Sequence, residues 1–217
     1  MTKTEKLDLI RTTGIIAIMR ARSSDQLLAA AEAIHRGGVR VIEVTMTTPG
    51  ALEVVRAATS RYGDELLFGA GTVIDATSAR EAILAGAGFI VAPTLDLPTI
   101  ALGNRYAIPV VPGIFTPTEA LAATEAGAEM VKLFPAEVGG PKMIQALLAP
   151  LPQLQIIPVG GVDLLTAGPF IRAGAVALGV GSSLVNQKLL ESGDMGELTK
   201  RARAFIDAVA AARREES

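Results

Sequence analysis

One lysine, Lys132, lies in the middle of an otherwise apolar stretch that ends at Pro135. The stretch reads Gly-Ala-Glu-Met-Val-Lys-Leu-Phe-Pro from Gly127 onward and predicts a buried β-strand. A charged ammonium in such a strand is costly unless it is paired or loses its proton. A lysine without its proton is a nucleophile that forms a Schiff base with a carbonyl compound. The strand alone leaves two interpretations open, because a structural lysine that pairs with a carboxylate or reaches solvent also fits it.

The composition permits a large buried core and argues against several classes of partner. Half of the 217 residues are apolar, 19% are charged, and the net charge is −2. This balance does not fit a general nucleic-acid binder or a polybasic membrane binder. The chain has one histidine and no cysteine, so we expect no disulfide framework and no thiolate metal site. With no apolar signal core near the N-terminus and no uncharged stretch long enough to cross a bilayer, we expect a cytoplasmic protein.

Short apolar runs alternate with longer helical patterns along the chain. This alternation is typical of a parallel sheet built from βα units. The predicted strands cover residues 15–20, 39–45, 66–71, 89–93, 109–112, 129–134, 155–159 and 175–180. After a short helix over residues 3–12, the predicted helices lie near residues 24–36, 50–61, 76–85, 96–105, 117–126, 140–149, 163–172 and 194–213. We therefore predict one α/β domain over residues 1–217, a (β/α)8 TIM barrel with a short N-terminal helix.

A weak internal repeat relates the even-numbered predicted strands. A small-residue turn precedes each of them, and the turns align on Gly38, Gly86, Gly127 and Gly174. Five residues after these glycines stand Glu43, Val91, Lys132 and Gly179. Alternate strands of such barrels contribute the four side chains of each interior layer. The spacing therefore predicts that Glu43 and Lys132 share one interior layer, either as a structural ion pair or as a Schiff-base nucleophile with its acid–base partner.

Polar side chains and glycines follow the predicted strands, at the end where active sites of this fold lie. Arg20 is a fixed cation suited to a carboxylate or phosphate, and Thr72 is a small hydroxyl donor. The last two strands end in Gly160-Gly161 and in Gly181 followed by Ser182. Backbone N–H groups of those two loops commonly bind phosphate in this fold. These residues predict a site with one end for a carboxylate and the other for a phosphate.

Taken together, these motifs resemble the 2-keto-3-deoxy-6-phosphogluconate and 4-hydroxy-2-oxoglutarate aldolase family, which are class I pyruvate aldolases on a (β/α)8 barrel. The matching stretches run through nearly the whole chain in family order: residues 37–45, Gly69-Ala70-Gly71-Thr72-Val73, Val111-Pro112-Gly113, residues 131–137 and Pro158-Val159-Gly160-Gly161-Val162. The resemblance implies cleavage of a phosphorylated 2-keto-3-deoxy sugar acid into pyruvate and glyceraldehyde 3-phosphate. Cleavage of 4-hydroxy-2-oxoglutarate into pyruvate and glyoxylate, and assembly as a homotrimer, are further implications.

The same resemblance assigns roles to individual residues. It implies that Lys132 is the Schiff-base lysine and that Glu43 is the general acid/base. The implied substrate-binding residues are Arg20 and Thr72 at the pyruvate carboxylate, Pro93 and Phe134 at the pocket wall, and Gly160, Gly161, Gly181 and Ser182 at the phosphate end. Glu137 stays outside the implied site. The chain departs from the gluconate-type pattern at two positions. Some family members have arginine at the position of Thr47, and many gluconate-type members have threonine at the position of Val159.

Two other functions fit parts of the pattern. A phosphate-binding barrel epimerase or isomerase would keep the glycine pairs but would not need a lysine in the sixth strand. A non-catalytic trimeric scaffold would keep the fold, but it gains little from a buried pair of Lys132 and Glu43. The expected partner is a small-molecule 2-oxo acid substrate, with no nucleic acid and no membrane.

Overall fold

The computed structural model describes residues 1–20 and 23–215, which form parallel strands that mostly alternate with helices. The strands of this part of the chain are β1 Ile15–Met19, β2 Val41–Thr45, β3 Leu67–Gly71, β4 Ile90–Val91, β5 Val110–Val111, β6 Gly113–Ile114, β7 Val131–Leu133, β8 Ile156–Pro158 and β9 Leu178–Val180. The helices are α1 Lys3–Thr13, α2 Ser24–Arg36, α3 Ala51–Tyr62, α4 Ala76–Leu84, α5 Leu97–Tyr106, α6 Pro117–Glu125, α7 Gly140–Leu148, α8 Leu164–Arg172, α9 Gln187–Ser192 and α10 Met195–Arg214.

Two parallel sheets form a curled surface. The larger sheet has the order β5-β4-β3-β2-β1-β9, and the smaller has the order β6-β7-β8. Pro112, which has no N–H to donate, separates β5 from β6. The predicted strand 109–112 is therefore reduced to β5, and β6 lies beyond its predicted end. Two isolated parallel bridges, Ile156 with Ala175 and Val159 with Gly179, connect β8 to the β9 segment. The prediction of an α/β fold with parallel strands is confirmed.

The glycines of the sequence repeat end four helices in the same way. Gly38, Gly86, Gly127 and Gly174 all adopt positive φ, between 94° and 105°. In each turn the residue after the glycine donates its N–H to the carbonyl five residues back, as Val39 does to Ile34 at 3.2 Å and Ala128 does to Ala123 at 3.0 Å. This is a Schellman motif, which favours glycine because an L side chain is strained at positive φ. Because the four turns are alike, we expect side chains at the same distance after these glycines to lie on the same face of their strands.

Side chains alternate between the two faces of the curled sheet. The inner face carries a cluster of buried residues that includes Ile16, Val41, Leu67, Phe89 and Val91. Helix α1 adds three residues to this cluster, Leu7, Leu9 and Ile10, which are all buried. The larger apolar cluster lies between the outer face and the surrounding helices. Because residues two apart in a strand share a face, the inner cluster identifies which strand residues point inward.

Most predicted elements are present, with shorter strands than predicted. Strand β4 covers two residues where residues 89–93 are predicted. Helix α9, over Gln187–Ser192, is absent from the prediction. Its N-cap residue is Asn186, whose side chain accepts a hydrogen bond from the Leu189 N–H at 2.9 Å. Within residues 1–20 and 23–215, no helix is both long enough and apolar enough to cross a membrane.

Candidate active site

Lys132 is the central residue of β7. This strand pairs with β6 on one side, where Lys132 is opposite Gly113, and with β8 on the other, where Lys132 is opposite Ile157. Met130, two residues earlier, belongs to the inner cluster, so Lys132 points to the inner face as well. The lysine is 6% exposed. Burial lowers the pKa of its amine below the ordinary value, and the charge of Arg20 lowers it further, while Glu43 partly opposes this change.

Glu43 lies at the centre of β2, again on the inner face. Val41, two residues earlier, is part of the inner cluster, and Glu43 itself is 2% exposed. Burial raises the pKa of the carboxyl group from 4.5 to about 6, although the charges of Lys132 and Arg20 oppose the rise. The carboxylate lies against Gly71 of the neighbouring strand β3. The structure thus brings the two residues of the predicted interior layer to one face.

This arrangement suits proton transfer and nucleophilic attack near neutral pH. A lysine with a lowered pKa is neutral more of the time and can attack a ketone. A carboxyl group with a pKa of about 6 can both accept and return a proton at neutral pH. The two perturbed pKa values have the same main cause, which is removal of the charged form from water.

The residues predicted for the carboxylate end, Arg20 and Thr72, and for the pocket wall, Pro93 and Phe134, differ in how they are placed relative to this pair. Arg20 follows β1 and is exposed, and its charge acts on both Glu43 and Lys132. The Nζ atom of Lys132 lies 4.8 Å from the centre of the Phe134 ring. Thr72 follows β3 with a φ of 59°, which is unusual for a residue other than glycine and is often found at functional sites. Pro93 follows β4 and is partly buried.

A cavity of about 540 Å³ opens beside the predicted phosphate end. Six predicted site residues line it: Arg20, Phe134, Gly160, Gly161, Gly181 and Ser182. Lys132, Glu43, Thr72 and Pro93 do not line this cavity. Arg20 and Phe134 belong to the cavity and also lie near Lys132, so they connect the two parts of the predicted site.

The cavity also includes residues that the sequence interpretation leaves out. Glu137, Ser183, Asn186 and Gln187 are among its polar lining residues. Glu137 lies in a 3-10 turn over Ala136–Val138, and the Ala136 N–H at the start of this turn donates to the Val159 carbonyl at 2.8 Å. That bond holds the turn against the end of β8. The position of Glu137 three residues after Phe134 is the only local signal for its place in the cavity.

The glycine pair that follows β8 allows the turn that carries Glu137 to lie close to the end of this strand. Gly160 and Gly161 have φ values of 97° and 69°. A Cβ atom on Gly161 would lie 2.6 Å from the Cβ of Glu137. Glycine is therefore required at position 161 both for its backbone conformation and for space.

The described residues contain no cluster of three or more His, Cys, Asp or Glu side chains that could hold a metal ion. The functional groups at the predicted site include the amine of Lys132, the carboxylate of Glu43 and the guanidinium group of Arg20.

A family model described as KDPG and KHG aldolase matches residues 7–201. The chain belongs to this aldolase family. A relative from Escherichia coli K12 named KHG/KDPG aldolase is 32% identical over 206 residues, which cover 94% of this chain and 96% of the relative. Another relative from that organism, named 2-dehydro-3-deoxy-6-phosphogalactonate aldolase, is 35% identical over 196 residues, with coverage of 89% and 93%.

A solved structure of an aldolase of this family contains a covalent reaction intermediate. It is described as a KDPG aldolase from Legionella pneumophila with pyruvate captured as a covalent carbinolamine. That protein is 26% identical to this chain, the TM-score is 0.85, and the match covers 94% of this chain and 98% of that one. A carbinolamine is the species that forms when an amine adds to a ketone. The family match disfavours the epimerase and scaffold alternatives.

Proposed function

We propose that this protein is a class I aldolase that cleaves a 2-keto-3-deoxy-6-phospho sugar acid into pyruvate and glyceraldehyde 3-phosphate. We also propose 4-hydroxy-2-oxoglutarate as a substrate, which would give pyruvate and glyoxylate. The observation that carries the proposal is the buried pair on the inner face, a lysine with a lowered pKa and a carboxyl group with a raised one. The names of the similar proteins support this substrate class.

The proposed reaction begins with attack of neutral Lys132 on the C2 ketone. The resulting carbinolamine loses water and becomes an iminium, which withdraws electrons from the adjacent carbon chain. The depressed pKa of Lys132 favours the first step because only the neutral amine has a lone pair to donate. The pyruvate carbinolamine of the Legionella protein supports the same first step here.

In the proposal Glu43 moves the protons. Its carboxylate, directly or through a water molecule, takes the proton from the C4 hydroxyl group. The C3–C4 bond then breaks, the aldehyde leaves, and the bonding electrons remain in an enamine of pyruvate. Glu43 returns a proton to C3, and hydrolysis of the regenerated iminium releases pyruvate and restores Lys132. No net redox change occurs.

The remaining predicted residues would bind the two ends of the substrate. We assign the pyruvate carboxylate to Arg20 and Thr72, and the pocket wall to Pro93 and Phe134. We assign the phosphate to the cavity whose lining includes Gly160, Gly161, Gly181 and Ser182. The charge of Arg20 acts on both members of the central pair, which supports its assignment to the carboxylate end.

The fold and assembly proposals go with this function. We propose that β5 and β6 act as one strand and that the bridges between β8 and β9 close the sheet into a (β/α)8 barrel of a single domain. We also propose a homotrimer that works in the cytoplasm without a cofactor. Sedimentation of the purified protein tests the trimer.

A pyruvate-release assay tests the proposed function. The substrates are the phosphorylated gluconate and galactonate epimers and 4-hydroxy-2-oxoglutarate, and the variants are Lys132→Ala and Lys142→Ala. Lys142 is an exposed residue of α7, so its loss serves as the matched control. We expect release by the wild type and by Lys142→Ala, and none by Lys132→Ala. Absence of release by folded wild type from all three substrates would reject the proposal.

A further inference from the structure

The side chain of Glu43 occupies the space beside Gly71 on the neighbouring strand. In the β2–β3 pairing, Glu43 is opposite Gly69, and Thr45 is opposite Gly71. A Cβ atom built on Gly71 would overlap the Oε1, Cδ and Cγ atoms of Glu43. These three are the nearest atoms to that position, and no backbone atom is among them.

The backbone of Gly71 does not explain why a glycine stands there. Gly71 is part of a regular strand, and it is not among the glycines with positive φ. An L residue could adopt its conformation, so what the site requires is the missing side chain. Among the glycines of residues 1–20 and 23–215, Gly71 is the one whose missing Cβ leaves room for Glu43.

Strand β3 has two glycines on its inner face, Gly69 and Gly71, and they have different neighbours. A Cβ on Gly69 would meet the ring of Phe89, a buried residue of the inner cluster. An added methyl group there disturbs apolar packing. The same methyl group on Gly71 would instead displace a carboxylate.

We propose that Gly71 is a positioning residue for Glu43, and that its missing side chain forms the slot that holds the carboxylate against β3. This inference rests on the proposed function of Glu43 as the general acid/base. The slot also brings one side of the carboxylate into contact with the strand instead of water. That contact agrees with burial as the main cause of the raised pKa of Glu43.

The first test compares Gly71→Ala with Gly69→Ala in the pyruvate-release assay over a range of pH. General acid–base catalysis typically contributes about 10²- to 10⁴-fold, so we expect Gly71→Ala to lower kcat by about 10²-fold. We expect the acidic limb of its pH–rate profile to move to lower pH, because the displaced carboxylate gains contact with water. In Gly69→Ala we expect that limb to stay in place. An unchanged kcat and limb in Gly71→Ala would overturn the inference.

A shorter acid provides a rescue experiment. Aspartate at position 43 lacks one methylene group and leaves space for a methyl group at position 71. We expect Gly71→Ala to lower kcat by less than about threefold in the Glu43→Asp background, since contacting residues are not additive. The inference fails if Gly71→Ala has the same large effect in both backgrounds.

A stability cycle keeps the inference testable if Gly71→Ala alone does not fold. Glu43→Ala removes the atoms that the new methyl group would overlap. We expect Gly71→Ala to lower the melting temperature in the wild type and to have little effect in the Glu43→Ala background. Equal destabilisation in both backgrounds would overturn the inference that Gly71 provides space for Glu43. Borohydride trapping of pyruvate by the wild type separately tests the proposed function.

Discussion

Replacement of Glu43 by glutamine should stabilise the folded protein at neutral pH. Burial raises the pKa of this carboxyl group from 4.5 to about 6, which means that the folded state disfavours the charged form. A difference of this size corresponds to about 2 kcal/mol in the free energy of unfolding. The stability that the protonated group provides is complete below pH 4.5 and is lost as the pH rises through about 6.

Glutamine has nearly the same shape as glutamic acid but does not ionise in this range. We therefore expect the free energy of unfolding of Glu43→Gln, relative to wild type, to rise by about 2 kcal/mol between about pH 4 and about pH 7.5. Urea denaturation followed by circular dichroism at several pH values measures this difference. The same variant should lose pyruvate release, so the site would trade stability for activity.

A second background separates the contribution of Lys132. The lysine charge lowers the pKa of Glu43. In a Lys132→Met background, the pH at which the stabilising effect of Glu43→Gln appears should therefore be higher. The difference in the free energy of unfolding between Lys132→Met and Lys132→Met/Glu43→Gln, measured at each pH, reports the titration of Glu43 without that of the lysine. A stability difference that does not depend on pH, or that falls as the pH rises, would refute the reasoning about burial.

Three further substitutions test other parts of the structure. Arg20→Gln should move the acidic limb of the pH–rate profile to higher pH, because the arginine charge lowers the pKa of Glu43 and of Lys132 and both groups react in their deprotonated forms. An unchanged acidic limb would contradict this. Val159→Thr places a hydroxyl group in the cavity and should raise kcat/KM for the gluconate epimer relative to the galactonate epimer; a fixed ratio would argue against contact with the substrate. Ile10→Ala should lower the free energy of unfolding by about 2–5 kcal/mol, because Ile10 of α1 is fully buried in the inner cluster; denaturation with a loss under about 1 kcal/mol would show that α1 is not needed there.

Much of the fold follows from local sequence signals. The turns at Gly38 and Gly127 recur because one backbone motif ends the preceding helices, and that motif sets the phase of β2 and β7. A count of five residues from each glycine then reaches Glu43 and Lys132. The inner-face placement of both residues was predictable for this reason.

Features that depend on neighbouring strands were not predictable in this way. The length of β4 is set by its pairing with the separate segments β3 and β5. Glu137 reaches the cavity through a bond between its turn and Val159. The contact of Gly71 with Glu43 joins two strands and has no local signature.

The Schiff base on Lys132 is the central claim, and covalent trapping tests it most directly. Wild type, Lys132→Ala and Lys142→Ala are each incubated with pyruvate and borohydride and then analysed by intact-protein and peptide mass spectrometry. We expect a reduced pyruvate adduct on the wild type and on Lys142→Ala, located on the peptide that contains Lys132, and none on Lys132→Ala. An active wild type without an adduct, or with the adduct on another lysine, would contradict the account.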